Sequence, residues 1–316
     1  MDSIIEVDNL TKDYGFGRGV FDVSFKVGKG EVFGFLGPNG AGKSTTIRHL
    51  MGFSKPDKGQ TKIFGKPTFD RYYEILNHVG YIPGEIALPQ GLTGIEFLHM
   101  MQSLQKIHNE QRLNELLDLF QLDSVTLKGE TKRMSLGVKR KLAIVAAFMS
   151  DPEVLILDEP TSGLDPVMQE VFIEFIKKEK ERGKTILLSS HIFTEVDATC
   201  DRIAIIKDGR IVSEFIANDL KHAKTKFYQI EFESKKDYED FYSANRKSKI
   251  MKILNINDEQ NQLMISTHDD KINEVVDQLS NYKIAEFTNI KETLEDYFMK
   301  FYKDDKNFGG VQWKKK

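Results

Sequence analysis

The nine residues from 37 to 45 constrain the fold more than any other part of this chain. They fit the pattern G-x-x-x-x-G-K-[ST] and are Gly37, Pro38, Asn39, Gly40, Ala41, Gly42, Lys43, Ser44 and Thr45. A strand-like segment, Glu31–Leu36, precedes the loop, and a helix is predicted from Lys43 to about Phe53. Glycines let such a loop curl so that its N–H groups, and the positive end of the helix, face phosphate oxygens. The sequence therefore predicts an α/β fold with a phosphate-binding loop.

Two side chains of this loop are expected to contact the ligand directly. Lys43 is placed to reach the β- and γ-phosphates of a nucleotide, and Ser44 is placed to offer its hydroxyl to Mg²⁺. The alternative is a glycine-rich turn that matches the pattern by chance. The strand before the loop and the helix after it favour the nucleotide site.

A second candidate site follows the apolar segment Val154–Leu157, which is predicted to be a buried strand. The segment is followed by Asp158 and Glu159. Beside a phosphate loop, Asp158 is expected to hold Mg²⁺ and Glu159 to polarise an attacking water. The alternative is a helix N-terminus, where the dipole favours acidic residues. Combined with the loop, the pair indicates hydrolysis of a nucleotide.

Strands and helices alternate over the first two thirds of the chain, which predicts a parallel sheet with helices on both faces. Residues of about 92–150 are mostly helical by their apolar spacing. The composition shifts near Lys221, and βαββαβ, the order of a ferredoxin-like unit, is predicted after it. We predict a nucleotide-binding domain at 1–220, an accessory α+β domain at 221–304 and a flexible tail at 305–316.

Composition and charge narrow the choice of partners and compartment. The chain has 45 Lys and Arg against 48 Asp and Glu, a net charge of −3, which argues against a surface devoted wholly to nucleic acid but leaves a local basic patch open. No nucleic-acid partner is expected. The single cysteine, Cys200, excludes an intrachain disulfide and fits a reducing compartment. The densest apolar stretch, Leu142–Met149, is too short to cross a bilayer, and the first six residues lack a signal-peptide pattern. Any membrane role is therefore expected to depend on a partner.

Four further motifs occur in a specific order around these two sites. They are Met134-Ser135-Leu136-Gly137-Val138, Ser162-Gly163-Leu164-Asp165, His191 after a predicted strand, and Tyr14 upstream of the loop. With them, residues of about 3–220 resemble the nucleotide-binding subunit of ATP-binding cassette (ABC) transporters. The resemblance implies a P-loop cassette with a mixed sheet and a helical subdomain, using ATP and Mg²⁺.

The resemblance also implies roles for these motifs and a second subunit. In that family two cassettes enclose two ATP molecules, each between the phosphate loop of one and the signature of the other. Ser135, Leu136 and Gly137 are then expected to contact the opposite subunit's ATP. Asp165 matches the D-loop, His191 the switch histidine and Tyr14 the aromatic that stacks on adenine. Plain structural roles, as caps or packing residues, remain alternatives for each.

The chain departs from the family pattern at three positions. Leu136 replaces the first signature glycine and Val138 replaces the glutamine. Gly84 stands where a glutamine normally follows a strand such as Val79–Ile82, and Glu85 is a possible substitute. These departures are expected to affect how ATP hydrolysis is coupled to transport more than they affect ATP binding.

The resemblance extends to ABC subunits that export drugs, antimicrobial peptides or lipids with separate membrane-spanning permease subunits. It includes the segment 293–298, Thr-Leu-Glu-Asp-Tyr-Phe. The expected location is therefore cytoplasmic and peripheral on the inner face of the cell membrane, with the permease groove near Gly84–Phe97. Alternatives are a soluble ABC ATPase acting in translation or repair, and a non-hydrolysing ATP sensor. A regulatory or dimer-stabilising role, or a plain cap over a sheet edge, is expected for 221–304.

Overall fold

The computed structural model describes residues 3–221, 225–290, 293–299 and 301–302. The chain forms two compact units, the first ending at Ala217 and the second beginning at Asn218. The predicted tail at 305–316 lies outside the described residues. No helix of the described part is long and apolar enough to span a membrane.

The first unit combines two sheets with helices that cover them. Its strands are β1 (Ser3–Asp13), β2 (Gly19–Gly28), β3 (Val32–Leu36), β4 (Lys58–Ile63), β5 (Lys66–Pro67), β6 (Val79–Ile82), β7 (Val154–Asp158), β8 (Thr185–Ser190), β9 (Arg202–Lys207) and β10 (Arg210–Ile216). Its helices are α1 (Lys43–Leu50), α2 (Thr68–Ile75), α3 (Gly94–Gln105), α4 (Glu110–Leu119), α5 (Ser124–Leu127), α6 (Leu136–Phe148), α7 (Pro166–Glu181) and α8 (Phe193–Thr199).

The larger sheet has the strand order β10-β9-β3-β8-β7-β6 and is parallel except at β10. Every residue of β3, β7 and β8 is buried, as expected for apolar strands covered on both faces. The edge strand β10 is joined to β9 by a hairpin at Asp208 and Gly209, a residue pair typical of such turns, and both residues have positive φ. The carboxyl ends of β3, β7 and β8 therefore meet at one edge of the sheet, where their following loops converge.

The second sheet, β2-β1-β4-β5, is antiparallel and packs into the same core. Phe25 of β2 stacks on Phe33 of β3 with ring centroids 5.0 Å apart. Ile47 and Leu50 of α1 are buried in this cluster as well. Apolar packing between the two sheets thus anchors the second half of α1 in the core.

Helices α1 and α2 differ from the sequence prediction. The helix predicted to reach Phe53 ends at Leu50, because Gly52 has φ 72° and its N–H, with that of Phe53, closes the helix on His49 and Arg48 carbonyls. Helix α2 was not predicted. The Thr68 hydroxyl, which starts it, donates to the His49 carbonyl at 2.8 Å, so the helix depends on a contact outside its own sequence.

Helices α3 to α6 lie within residues 92–150, the stretch that was predicted to be mostly helical. Helix α3 begins with a capping box between Thr93 and Glu96, and α6 begins with Ser135, whose hydroxyl accepts from the Val138 N–H at 3.3 Å. Most of α6 is buried beyond its first turn. Its start therefore faces the surface while its body anchors it.

The second unit is an antiparallel sheet with helices. After α9 (Ala217–Lys221), at the boundary, its elements are β11 (Thr225–Phe232), α10 (Lys235–Asn245), β12 (Met251–Asn257), β13 (Gln262–His268), α11 (Ile272–Leu279), β14 (Ile284–Ile290) and α12 (Leu294–Met299). The strand order is β12-β13-β11-β14. Ile230, Phe241 and Ile265 are fully buried in its own hydrophobic core. The unit thus has a core separate from that of the first.

Candidate nucleotide site

The predicted phosphate-binding loop connects β3 to α1, and neighbouring residues pack closely against its backbone. An added Cβ at Gly37 would lie 2.6 Å from the Ile206 carbonyl oxygen, and one at Gly42 would lie 2.8 Å from Val20 Cγ1. Gly42 also has φ 111°, which side chains rarely tolerate. These glycines are therefore required by the space around the loop as well as by its curvature.

Lys43 lies inside the curve of this loop and is only 5% exposed. Its ammonium donates to the carbonyl oxygens of Gly37, at 2.6 Å, and Pro38, at 3.1 Å. The Glu159 carboxylate lies 3.0 Å away on the other side. The lysine is thus placed at the mouth of the loop as a cation between the backbone and a carboxylate.

Glu159 and His191 are brought together from the ends of β7 and β8. The carboxylate of Glu159 lies 2.6 Å from His191 Nδ1, which completes a contiguous row of Lys43, Glu159 and His191. Glu159 has φ 50°, an uncommon backbone conformation for a non-glycine residue. The end of β7 therefore turns sharply and directs this carboxylate toward the loop.

Asp158 is the last residue of β7 and is 2% exposed. Its Oδ1 accepts a hydrogen bond of 2.5 Å from the Ser189 hydroxyl, on the paired position of β8. Its Oδ2 faces Gly84, where an added Cβ would lie 3.0 Å away. The strand pairing thus fixes the rotamer of a buried carboxylate at the edge of the sheet.

The oxygen donors here suit Mg²⁺ in the way that nucleotide sites use it. No cluster of three or more His, Cys, Asp or Glu side chains that could hold a metal occurs among the described residues. Mg²⁺ in phosphate sites needs only one or two protein oxygens, because phosphates and water complete its shell. The Ser44 hydroxyl and the Asp158 carboxylate, which were predicted to hold Mg²⁺, are oxygen groups of the kind that this ion prefers.

The signature residues lie at the surface. Ser135 caps α6, and Leu136 after it is 55% exposed. The Leu136 side chain packs beside Gly163, where an added Cβ would lie 2.8 Å from Leu136 Cδ2. The substituted signature position thus contacts the Ser162–Asp165 loop of the same subunit. Asp165 itself caps α7 by accepting from the Met168 N–H at 3.0 Å.

Tyr14 lies in the turn between β1 and β2 and is 53% exposed. Its N–H donates to the Arg18 carbonyl at 2.8 Å. The turn leads into Val20, which packs against Gly42, so the aromatic ring belongs to a segment adjoining the phosphate loop. Phe16, in the same turn, is fully exposed and was overlooked in the sequence analysis. Its position two residues after Tyr14 was the available signal.

Two buried charged residues of the site were also missed. Arg140, in the apolar helix α6, donates to three backbone carbonyls and is 1% exposed. Glu195, in α8, accepts from the Ser190 hydroxyl at 2.5 Å, and that hydroxyl oxygen accepts from the Ile192 N–H. Burial raises the pKa of Glu195 to about 7, against the opposing effect of the Ser190 hydrogen bond. Through the Ser190 hydroxyl, Glu195 supports the backbone on either side of His191.

With this geometry in place, comparison with known proteins gives the family. The ABC transporter family profile matches residues 20–162. The bacitracin transport ATP-binding protein BcrA of Bacillus licheniformis is 39% identical over 236 residues, 73% of this chain and 76% of that protein. The chain belongs to the ATP-binding subunits of ABC transporters.

Further relatives agree with this membership. The Nod factor export ATP-binding protein I of Sinorhizobium fredii is 37% identical over 216 residues, 67% of this chain and 63% of that protein. A solved structure described as the ATP binding subunit of an ABC transporter has a TM-score of 0.64 and 33% identity, and covers 70% of this chain and 92% of its own. The predicted α/β P-loop fold and ATP-hydrolysing family are confirmed. The roles of single residues and the ferredoxin-like assignment stay predictions.

Proposed function

We propose that this ABC subunit hydrolyses MgATP at sites shared with a second ATP-binding subunit and so drives export through separate permease subunits. The observation that carries the proposal is the row of Lys43, Glu159 and His191 at the edge of the sheet. Lys43 and His191 each contact the Glu159 carboxylate, at 3.0 Å and 2.6 Å, which supports a site where a cation, a carboxylate and an imidazole act together.

Each residue of the row has a distinct task in hydrolysis. Lys43 binds the β- and γ-phosphates. Its hydrogen bond to the Gly37 carbonyl already holds the ammonium inside the loop before the nucleotide binds. Glu159 accepts hydrogen bonds from the attacking water, and His191 holds the Glu159 carboxylate in position from the other side. Ser44 and Asp158 would hold Mg²⁺, which would neutralise charge on the phosphate oxygens.

The exposed signature suits a second subunit. Ser135 and Leu136, at the N-terminus of α6, together with Gly137 form the surface that meets the ATP held by the opposite cassette. A helix N-terminus favours an anion there, since its free N–H groups carry partial positive charge. Asp165, on the neighbouring loop, faces the same partner in this proposal.

An apolar groove offers a site for the permease. It has a volume of about 480 Å³. Its walls include Met51, Phe53, Leu76, Val79, Tyr81, Pro83, Ile86, Ala87, Leu88, Phe97, Met101, Leu104, Ala143, Ala146 and Ala147. A groove of this composition fits the apolar face of a helix from a membrane subunit. The subunit is then peripheral on the inner face of the cell membrane, held there by the permease.

The exported substrate is a drug, a peptide or a lipid in this proposal, which the similarity to the bacitracin transport protein BcrA and to the Nod factor export subunit supports. The second unit has the strand order of a ferredoxin-like fold, and we assign it an accessory role in regulation or dimer stability. The substrate itself is selected by the permease.

Co-purification tests the assignment to a transporter. A tagged chain is expected to retain a membrane-spanning protein in mild detergent, whereas retention of ribosomes would favour the soluble alternative. Leu104→Glu places a charge on the exposed rim of the groove and should abolish this retention. Val125→Glu, at an exposed apolar residue that does not line the groove, is the control and should retain the membrane-spanning protein.

A further inference from the structure

Arg140 is a buried cation that links three separate segments of the first unit. Its Nε donates to the Ser162 carbonyl at 2.9 Å, Nη1 to Pro83 at 2.9 Å and Nη2 to Gly84 at 2.7 Å. The planar guanidinium can do this because its five N–H donors point in fixed directions. A charge this deeply buried is costly to keep, so the three contacts specify how these segments are arranged.

The first segment is the loop that follows β6. At Gly84 it touches the metal-site carboxylate, since an added Cβ would lie 3.0 Å from Asp158 Oδ2 and 3.3 Å from its Cγ. Further along, Ile86 and Leu88 line the apolar groove. This loop therefore contacts the nucleotide site at one end and the groove at the other, and Arg140 holds it at the point between them.

The second segment is the turn that contains Ser162. The Ser162 N–H donates to the Glu159 carbonyl at 3.1 Å, which joins this turn to the water-polarising residue. Gly163, next in the chain, packs against Leu136 of the signature. Arg140 itself lies in α6, one turn beyond Leu136. The guanidinium thus connects the signature helix to the Pro83–Gly84 loop, which lies against Asp158, and to the Ser162 turn, which is bonded to the Glu159 backbone.

We propose that Arg140 is a positioning residue for ATP hydrolysis, which holds the Pro83–Gly84 loop against Asp158 and the Ser162 turn against the signature. The groove, the metal carboxylate and the signature helix then move as one body when ATP and the second subunit bind. With glycine at position 84, the loop has no side chain to make this link, and the backbone carbonyls that Arg140 binds make it instead. This inference rests on the proposed function for its kinetic part.

Kinetics of two variants test the positioning role. Arg140→Gln removes at least two of the three hydrogen bonds that the guanidinium donates. The kcat should fall roughly 3- to 30-fold, while KM and the calorimetric Kd for MgATP stay near their wild-type values. Arg140→Lys keeps the charge but not the fork, and should recover part of the loss. Arg246→Gln, at an exposed arginine of the second unit, is the matched control. A wild-type kcat in Arg140→Gln would overturn the proposal. So would a general loss, in which kcat falls, the Kd for MgATP rises and the melting temperature falls together and Arg140→Lys restores none of them.

Hydrogen exchange in the nucleotide-free chain tests the link without hydrolysis. In Arg140→Gln, the amides of residues 84–88 and 162–164 should both exchange faster, by about tenfold, while those of α1 stay unchanged. Exchange that is unaltered in either segment contradicts the link. If the wild-type chain does not hydrolyse ATP, the proposed function fails, yet this exchange experiment still decides the structural link.

Gly84→Ala covers the case in which the Arg140 variants fail to fold. The added methyl group presses on Asp158 without disturbing the buried cation, and Gly84 does not have the positive φ that would strain alanine. Its kcat should fall with Kd for MgATP unchanged, and exchange should rise at 84–88 and not at 162–164. Wild-type turnover in Gly84→Ala would overturn the role of this loop.

Discussion

The two halves of the proposed site, the phosphate-loop side and the signature side, differ in how completely one chain builds them. On the phosphate-loop side, Lys43 and Asp158 are buried and have polar partners from neighbouring strands or loops. On the signature side, the side chains of Ser135 and Asp165 cap the starts of their own helices at the surface, and these local bonds are the side-chain hydrogen bonds that they make among the described residues. The first half is therefore pre-organised by the fold, whereas the second is a surface whose ligand must come with a partner. Variants of the first half should fail as monomers and variants of the second only as dimers.

Glu159→Gln should give the largest effect, because it removes the acceptor for the water proton within the pre-organised half. Turnover is expected to fall ~10²–10⁴-fold while MgATP still binds. Steady-state phosphate release and calorimetry measure the two quantities. Glu153→Gln, at the solvent-exposed start of the same strand region, is the control. Wild-type turnover in Glu159→Gln would show that another group polarises the water.

Lys43→Ala should weaken MgATP binding by the monomer itself. Charge-assisted hydrogen bonds of this kind contribute roughly 1.5–3 kcal/mol, which corresponds to a Kd raised roughly 10- to 150-fold. Lys58→Ala removes an exposed lysine elsewhere in the unit and should leave Kd unchanged. Calorimetry on both variants decides the matter, and an unaltered Kd in Lys43→Ala would refute the phosphate-loop assignment.

Ser135→Arg tests the half of the site that needs a partner. In a Glu159→Gln background MgATP should drive dimerisation, and adding Ser135→Arg should weaken the dimer by about tenfold or more, since a bulky side chain then blocks the helix N-terminus. Light scattering should show a mass that stays at 36.3 kDa. Monomer affinity for MgATP should not change.

Loss of the helix cap needs its own control in that experiment. Asn109→Arg removes the cap of α4, whose side chain accepts from the Arg112 N–H at 2.9 Å, at a position away from the signature. This variant should still dimerise with MgATP. A Ser135→Arg protein that dimerises as well as Asn109→Arg would contradict the composite site.

The same contrast explains what the sequence could predict. The phosphate loop and the strand predicted at Val154–Leu157 each depend on residues that are adjacent in the chain, so local patterns were sufficient. The partners of Arg140 lie 22, 56 and 57 residues away, and no local pattern contains them. Helix α2 was missed for the same reason, because the contact at its start comes from His49.

Tyr14→Ala should have the smallest effect and locates the adenine relative to the pre-organised half. Base–aromatic stacking contributes ~1–3 kcal/mol, and a ring that is half exposed should give the lower end, about a fivefold rise in the Kd for MgATP. Tyr73→Ala, a similarly exposed tyrosine on α2, is the control and should leave Kd unchanged. Phe16→Ala extends the test, because this ring lies in the same turn and is free to take the base instead. If the Kd for MgATP rises in Phe16→Ala and not in Tyr14→Ala, the residue that stacks on adenine is Phe16. If the Kd rises in neither variant, aromatic stacking is not part of the site, and binding depends on the contacts to the phosphates.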